Sequence, residues 1–123
     1  MVGEALTNIY VGLCRFCRGE KLAAMRFVQG YAVDRVLELI EALETPEPVV
    51  EDRFARERRF EKRFPRRAGE LAGFIQGYER TPESAQAILN FLDGSFEVNP
   101  VLRREILALC QVCAGASKTP SPE

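Results

Sequence analysis

RGEKLAAMRFVQGYAVDRVLELIEALE, running from Arg18 to Glu44, is the stretch that decides the fold. After Glu20 it holds no proline and a single glycine, Gly30. Leu22, Met25, Val28, Ala32, Val36, Leu39 and Leu43 recur at helical spacing, and Ala24, Phe27, Tyr31 and Ile40 form a second apolar line beside them. So wide a stripe predicts a long central helix touched from more than one side. Its polar groups gather at the start, in Arg18, Glu20 and Lys21, with Arg26, Gln29, Asp34 and Arg35 further along. A functional site is expected near that polar head.

Outward from this stretch the chain reads as further helices. Residues Glu4 to Cys17 place Leu6, Ile9, Leu13 and Phe16 on one face, with Tyr10 and Cys17 alongside. Gly19 lets the chain turn, because glycine takes positive φ without penalty. Glu20 then suits the positive end of the second helix's dipole, and Thr45-Pro46-Glu47-Pro48 stops that helix. A third helix is expected over Glu51 to Phe64, supported by the i,i+4 pairs Asp52–Arg56 and Arg53–Glu57 and ended by Pro65. A fourth, about Arg67 to Glu79, presents Leu71, Phe74, Ile75 and Tyr78.

Thr81-Pro82 reads as an N-cap followed by proline at the first helical position. It starts a fifth helix with Ala85, Ile88, Leu89 and Leu92 inward and Gly94 as its C′ residue. Asn99-Pro100 repeats the signal for a sixth, with Leu102, Ile106, Leu109 and Cys113 inward and Gly115 closing it. No run alternates with strand period. The expected fold is all-α: one up-and-down bundle of five to six helices over residues 1–115, around the long second helix, with residues 116–123 a disordered tail.

The totals bound the function. A chain of 123 residues buries roughly two thirds of its unfolded surface, enough for a core without staples. A net charge of -1 gives no global pull toward nucleic acid or an anionic membrane. No apolar run reaches the ~18 residues that a membrane span needs, and MVGEALTN has neither the charged nor the apolar region of a secretory signal. A cytoplasmic protein is expected. Histidine is absent, which removes Ser/His and Cys/His catalysis and every His–metal arrangement.

Charge is uneven along the chain. Val36 to Asp52 carries six acidic residues and no basic one, whereas Arg53 to Arg67 carries eight basic residues against Glu57 and Glu61. The basic run interleaves with Phe54, Phe60 and Phe64, a pattern shared with single-strand nucleic-acid platforms. A helix with phenylalanines inward and charges outward explains it equally, and nucleic acid is not the expected partner.

Two constellations remain. Cys14-x-x-Cys17 and Cys110-x-x-Cys113 could supply four thiolates to a structural Zn²⁺, giving a zinc-stapled interaction module. The main expectation is core cysteines and no metal. Both pairs fall on predicted helices, cysteine packs as a small hydrophobe, and the gap between the pairs is far longer than a compact zinc module uses. Disulfides are not expected in a cytosolic setting. The second constellation is Glu20 beside Arg18 at the head of the central helix. It reads either as a helix-start charge paired to an arginine, or as a carboxylate and guanidinium facing a cleft where Glu20 could act as a general base on a hydroxyl.

Several runs resemble the C-terminal helical domain of lincosamide-type nucleotidyltransferases: Arg15-Phe16, Arg18-Gly19-Glu20-Lys21-Leu22-Ala23-Ala24, Phe27 to Arg35, Arg59-Phe60-Glu61, Gly77-Tyr78-Glu79 and Pro82-Glu83-Ser84-Ala85. More distantly they resemble the substrate-binding bundle of the kanamycin nucleotidyltransferase class. The resemblance covers about Leu6 to Leu109. It implies a helical domain that walls the acceptor side of a cleft and forms a homodimer. The family's catalytic domain has an early Gly-Ser and paired aspartates for Mg²⁺ and nucleotide. That pattern is missing here, where Gly94-Ser95 lies late. ATP and Mg²⁺ are therefore implied only for a separate catalytic domain, in cis or in trans, and this chain is expected to be non-catalytic and to need no cofactor of its own. Arg18 and Glu20 carry over as cleft residues for a small-molecule acceptor, with Gln29 a third.

Overall fold

The computed structural model describes the backbone of residues 1–48 and 57–118, and side chains as far as residue 113. The fold is all-α, with no strand among the described residues. Helix α1 spans Val2–Cys17, α2 Lys21–Met25 and α3 Val33–Leu43. Between α2 and α3 the chain stays helical but widens into a π-helical segment, Arg26–Ala32. Three short helices follow: α4 Phe60–Arg63, α5 Pro65–Ala68 and α6 Leu71–Phe74. The long pair α7 Thr81–Ser95 and α8 Pro100–Lys118 completes the order. Against α1 pack α3, α7, α8 and the π segment.

The long second helix is present, and most of its expected apolar stripe is buried, including Leu39. Ala24, Val28, Ala32, Val36 and Ile40 are all fully buried, a strict four-residue column. In an α-helix such a column drifts around the axis, because a turn takes 3.6 residues. The π turns take more residues each and rotate the column back, so it stays in line from Ala24 to Ile40. The departures are Leu22 and Leu43 near the ends of the stripe and Tyr31 in the π segment, which lie at the surface at 55%, 48% and 48% exposure, and Gln29, which is turned inward at 7%. Close approach enforces the arrangement. A Cβ on Gly12 of α1 would lie 2.5 Å from Val28 Cγ2 and 3.2 Å from the Ala24 carbonyl.

The expected faces of α1 and α7 hold, whereas Ile75 and Tyr78, expected inward on the fourth helix, are 51% and 48% exposed. Leu6, Ile9, Leu13 and Phe16 of α1 and Ala85, Ile88, Leu89 and Leu92 of α7 are in the core. Asn99 Oδ1 accepts from the Val101 and Leu102 amides at 2.9 and 3.1 Å, so the Asn-Pro start of α8 is a true side-chain cap. The Thr81-Pro82 start of α7 is not. Thr81 makes no capping bond, because its hydroxyl accepts from Gln29.

Other boundaries shift too. Gly94 lies inside α7, which ends one residue later, and α8 runs past Gly115 to Lys118. The single fourth helix resolves into α5 and α6, with residues 75–80 non-helical. Of the expected third helix only α4 is seen. The Asp52–Arg56 and Arg53–Glu57 pairs, with Phe54, lie outside the described residues.

The two charge runs meet each other. Arg63 is buried, pairs with Glu41 at 3.4 Å and lies over the Phe60 and Phe64 rings at 5.9 and 5.3 Å. Arg67 bonds Glu44 and also Glu70 at 2.8 Å, and stacks over Phe91 at 5.2 Å. The Glu44 hydrogen bond holds the Arg67 guanidinium above its ordinary range against the opposing effect of burial, and Glu70 adds to it. Phe60 and Phe64 are 1% and 3% exposed, so neither offers a face on which a base could stack.

Candidate functional site

The polar head is a helix corner built on one backbone device. α1 ends at Cys17, and Gly19 follows with φ +83°. The Gly19 amide donates to Phe16 O at 2.9 Å and the Glu20 amide to Arg15 O at 2.9 Å. These are the two bonds of a Schellman cap, which satisfy carbonyls that the helix end would otherwise leave open. The cap requires a residue such as Gly19 in the left-handed region. It makes no demand on the side chains of Arg18 or Glu20.

Those side chains nevertheless form a compact charge cluster. Glu20 takes Arg15 Nη1 at 3.0 Å and lies 4.0 Å from Arg18 Nε. Lys21 Nζ pairs with Glu79 at 2.8 Å and sits over the Phe16 ring at 5.6 Å. Glu20 and Glu79 keep 43% and 65% of their side-chain surface exposed, and Arg18 keeps 60%. The corner thus presents two carboxylates and a guanidinium to solvent from a turn whose backbone is pinned. The arrangement suits hydrogen bonding to hydroxyl, amine or carboxylate groups of a polar small molecule.

Gln29, expected beside them, is elsewhere. Its amide nitrogen donates to Gly77 O at 2.7 Å and Thr81 Oγ1 at 3.0 Å, and its oxygen accepts from the Gly77 amide at 2.8 Å. Its polar atoms are committed to holding residues 75–80 against the π segment, so Gln29 is a tether and not a ligand-facing group. Gly77 takes φ +110° to present both backbone groups to it.

The cysteines also depart from expectation. Cys17 and Cys113 form a disulfide with Cα atoms 5.2 Å apart, where core thiols were expected and a disulfide was not. Cys110 and Cys14 are free. Cys110 is buried with its sulfur 3.8 Å from Pro82 O. Burial pushes its thiol up to about 11, with Glu83's charge acting in the same direction. With Cys17 and Cys113 bonded to each other, the four-thiolate zinc arrangement does not form. Among the described residues no group of three or more Cys, Asp or Glu is placed to hold a metal ion.

One further concavity was not legible in the sequence, a cleft of about 580 Å³ whose lining includes Glu44, Glu47, Arg63, Phe64 and Arg67. Its Arg63 and Arg67 are bound to Glu41, Glu44 and Glu70, so most of its charge is internally balanced. Among the described residues no helix is long and apolar enough to cross a membrane. Compared with protein-family models, with curated proteins and with solved structures, the chain matches none.

Proposed function

We propose that this chain is a helical domain of a nucleotidyltransferase-like protein, without activity of its own, forming the acceptor side of a cleft whose nucleotide- and Mg²⁺-binding half is a separate domain. The observation that carries the reading is the Arg18-Gly19-Glu20 corner. A carboxylate and a guanidinium stand 4.0 Å apart and exposed on a turn whose geometry needs only the glycine. The residue-level resemblance is at its most specific over the same three positions. In this reading Arg18 orients the acceptor and Glu20 accepts the proton of its reacting hydroxyl, while the opposing domain brings ATP and Mg²⁺. Assembly as a cytoplasmic homodimer belongs to the same reading.

Adenylylation assays test it. With ATP, Mg²⁺ and an aminoglycoside or lincosamide, the chain alone should transfer nothing. Joined to a nucleotidyltransferase catalytic domain it should support transfer that Glu20→Gln reduces about a hundredfold or more, the usual scale for losing a general base. Transfer by the isolated chain, or full activity in Glu20→Gln, overturns the reading.

A further inference from the structure

Independently of that function, we propose that the Cys17–Cys113 bond is a reversible thiol–disulfide site, exchanged by a glutathione-class thiol, whose state sets how firmly α8 docks on the bundle. Three observations support it. The first is the asymmetry of the pair. Cys113 is fully buried, whereas Cys17 is the last residue of α1, only partly buried and next to the exposed Arg18-Gly19 turn. An incoming thiolate can therefore reach only the Cys17 sulfur. Arg15, Arg18 and Lys21 surround that end of α1 against Glu20 and Glu79, leaving one cation in excess. Such a setting favours the approach of a thiol that carries carboxylates.

The second observation is that the reduced state has a place ready for the buried sulfur. Cys113 Sγ lies 3.2 Å from the Leu13 carbonyl, within reach of an S–H···O bond once the disulfide opens. Reduction therefore leaves no orphaned buried group. The third is the uneven burial of α8. Of its described side chains Ile106, Cys110 and Cys113 are buried, while Leu102, Leu107 and Leu109 pack on the core only partly covered. The covalent tie at Cys113 adds to that partial packing, and partial opening is drawn from the less fully buried elements.

The exchange balances without another reagent. A glutathione thiolate attacks Cys17 Sγ, forming a mixed disulfide and expelling Cys113 as thiolate, which takes a proton from water. A second glutathione thiolate attacks the glutathione sulfur of the mixed disulfide, yielding oxidised glutathione and the Cys17 thiolate. Two electrons pass from the glutathione pair to the protein, and the reverse sequence restores the bond.

The test uses the wild-type chain in glutathione buffers stepped from oxidising to reducing, read by differential alkylation with peptide mapping and by hydrogen exchange. Cys17 and Cys113 should gain reactivity to the alkylating reagent together. Amides of residues 101–118 should then exchange about tenfold faster while those of α7 stay unchanged, and reoxidation should reverse both. Cys113→Ser should show the fast α8 exchange in every buffer. A pair that keeps one state across the series overturns the proposal. So does exchange in α8 that is equally slow in both states, and the wild-type experiment decides even if the variant does not fold.

Discussion

Gln29 separates a structural role from a binding one. In Gln29→Ala three hydrogen bonds disappear, two to the Gly77 backbone and one to the Thr81 hydroxyl. Thr81 is fully buried, so water cannot replace its partner freely, whereas Gly77 is only half-buried. At about 1 kcal/mol net for each bond the loss is roughly 3 kcal/mol. In a domain of this size that lowers Tm by about 10 °C. Urea denaturation of wild type and variant gives the free-energy difference, and hydrogen exchange at the Gly77 amide localises it. The half-buried Gln86, whose side chain donates to Asn90 Oδ1 at 3.1 Å at the surface, is the control, and Gln86→Ala should change stability by less than about 0.5 kcal/mol. A Gln29→Ala protein as stable as wild type, with Gly77 equally protected, would refute the tether.

Further outcomes follow from the same geometry. Gly12→Ala forces a methyl group against Val28 and the Ala24 carbonyl and should destabilise by about 1–3 kcal/mol in thermal or urea melts. Gly19→Ala meets no neighbour, so its cost is that of positive φ alone, about 1 kcal/mol, with the core unchanged by near-ultraviolet circular dichroism. Cys110 keeps its proton in the folded chain up to about 11, against an ordinary 9.0. Its contribution is therefore complete below pH 9 and is lost as pH rises through about 11, on the order of 2 kcal/mol in all. Cys110→Ala should flatten that alkaline decline in stability, and an unchanged slope counts against the buried thiol.

How much of this was legible in the sequence depends on how local each cause is. The α1 face and the Asn99 cap could be read because their partners lie within one or two turns. The long helix could be read through Val28, Ala32, Val36, Leu39 and Ile40, but its π segment could not, because no local spacing marks it. Leu22 and Leu43, apolar and correctly spaced, are at the surface, and Gln29 is inside. Thr81 looked like a cap from its neighbours alone, yet a residue 52 positions away claims its hydroxyl. The acidic and basic runs were visible as runs, but their mutual pairing through Arg63 and Arg67 is tertiary. Cys17 and Cys113 are 96 residues apart, and no spacing rule links them. The exposed place of Arg18 and Glu20 on the turn was legible because the cap that presents them is local, and the inward place of Gln29 was not because its bonds are long-range.

The most direct test of the acceptor-side reading is a titration of isotope-labelled chain with an aminoglycoside and, separately, a lincosamide to millimolar concentration, followed by amide chemical shifts. The expected result is saturable movement confined to Arg15–Lys21 and Glu79, abolished in a folded Arg18→Ala/Glu20→Gln double variant. No movement with either compound, or movement centred instead on the Glu44–Arg67 cleft, would contradict it.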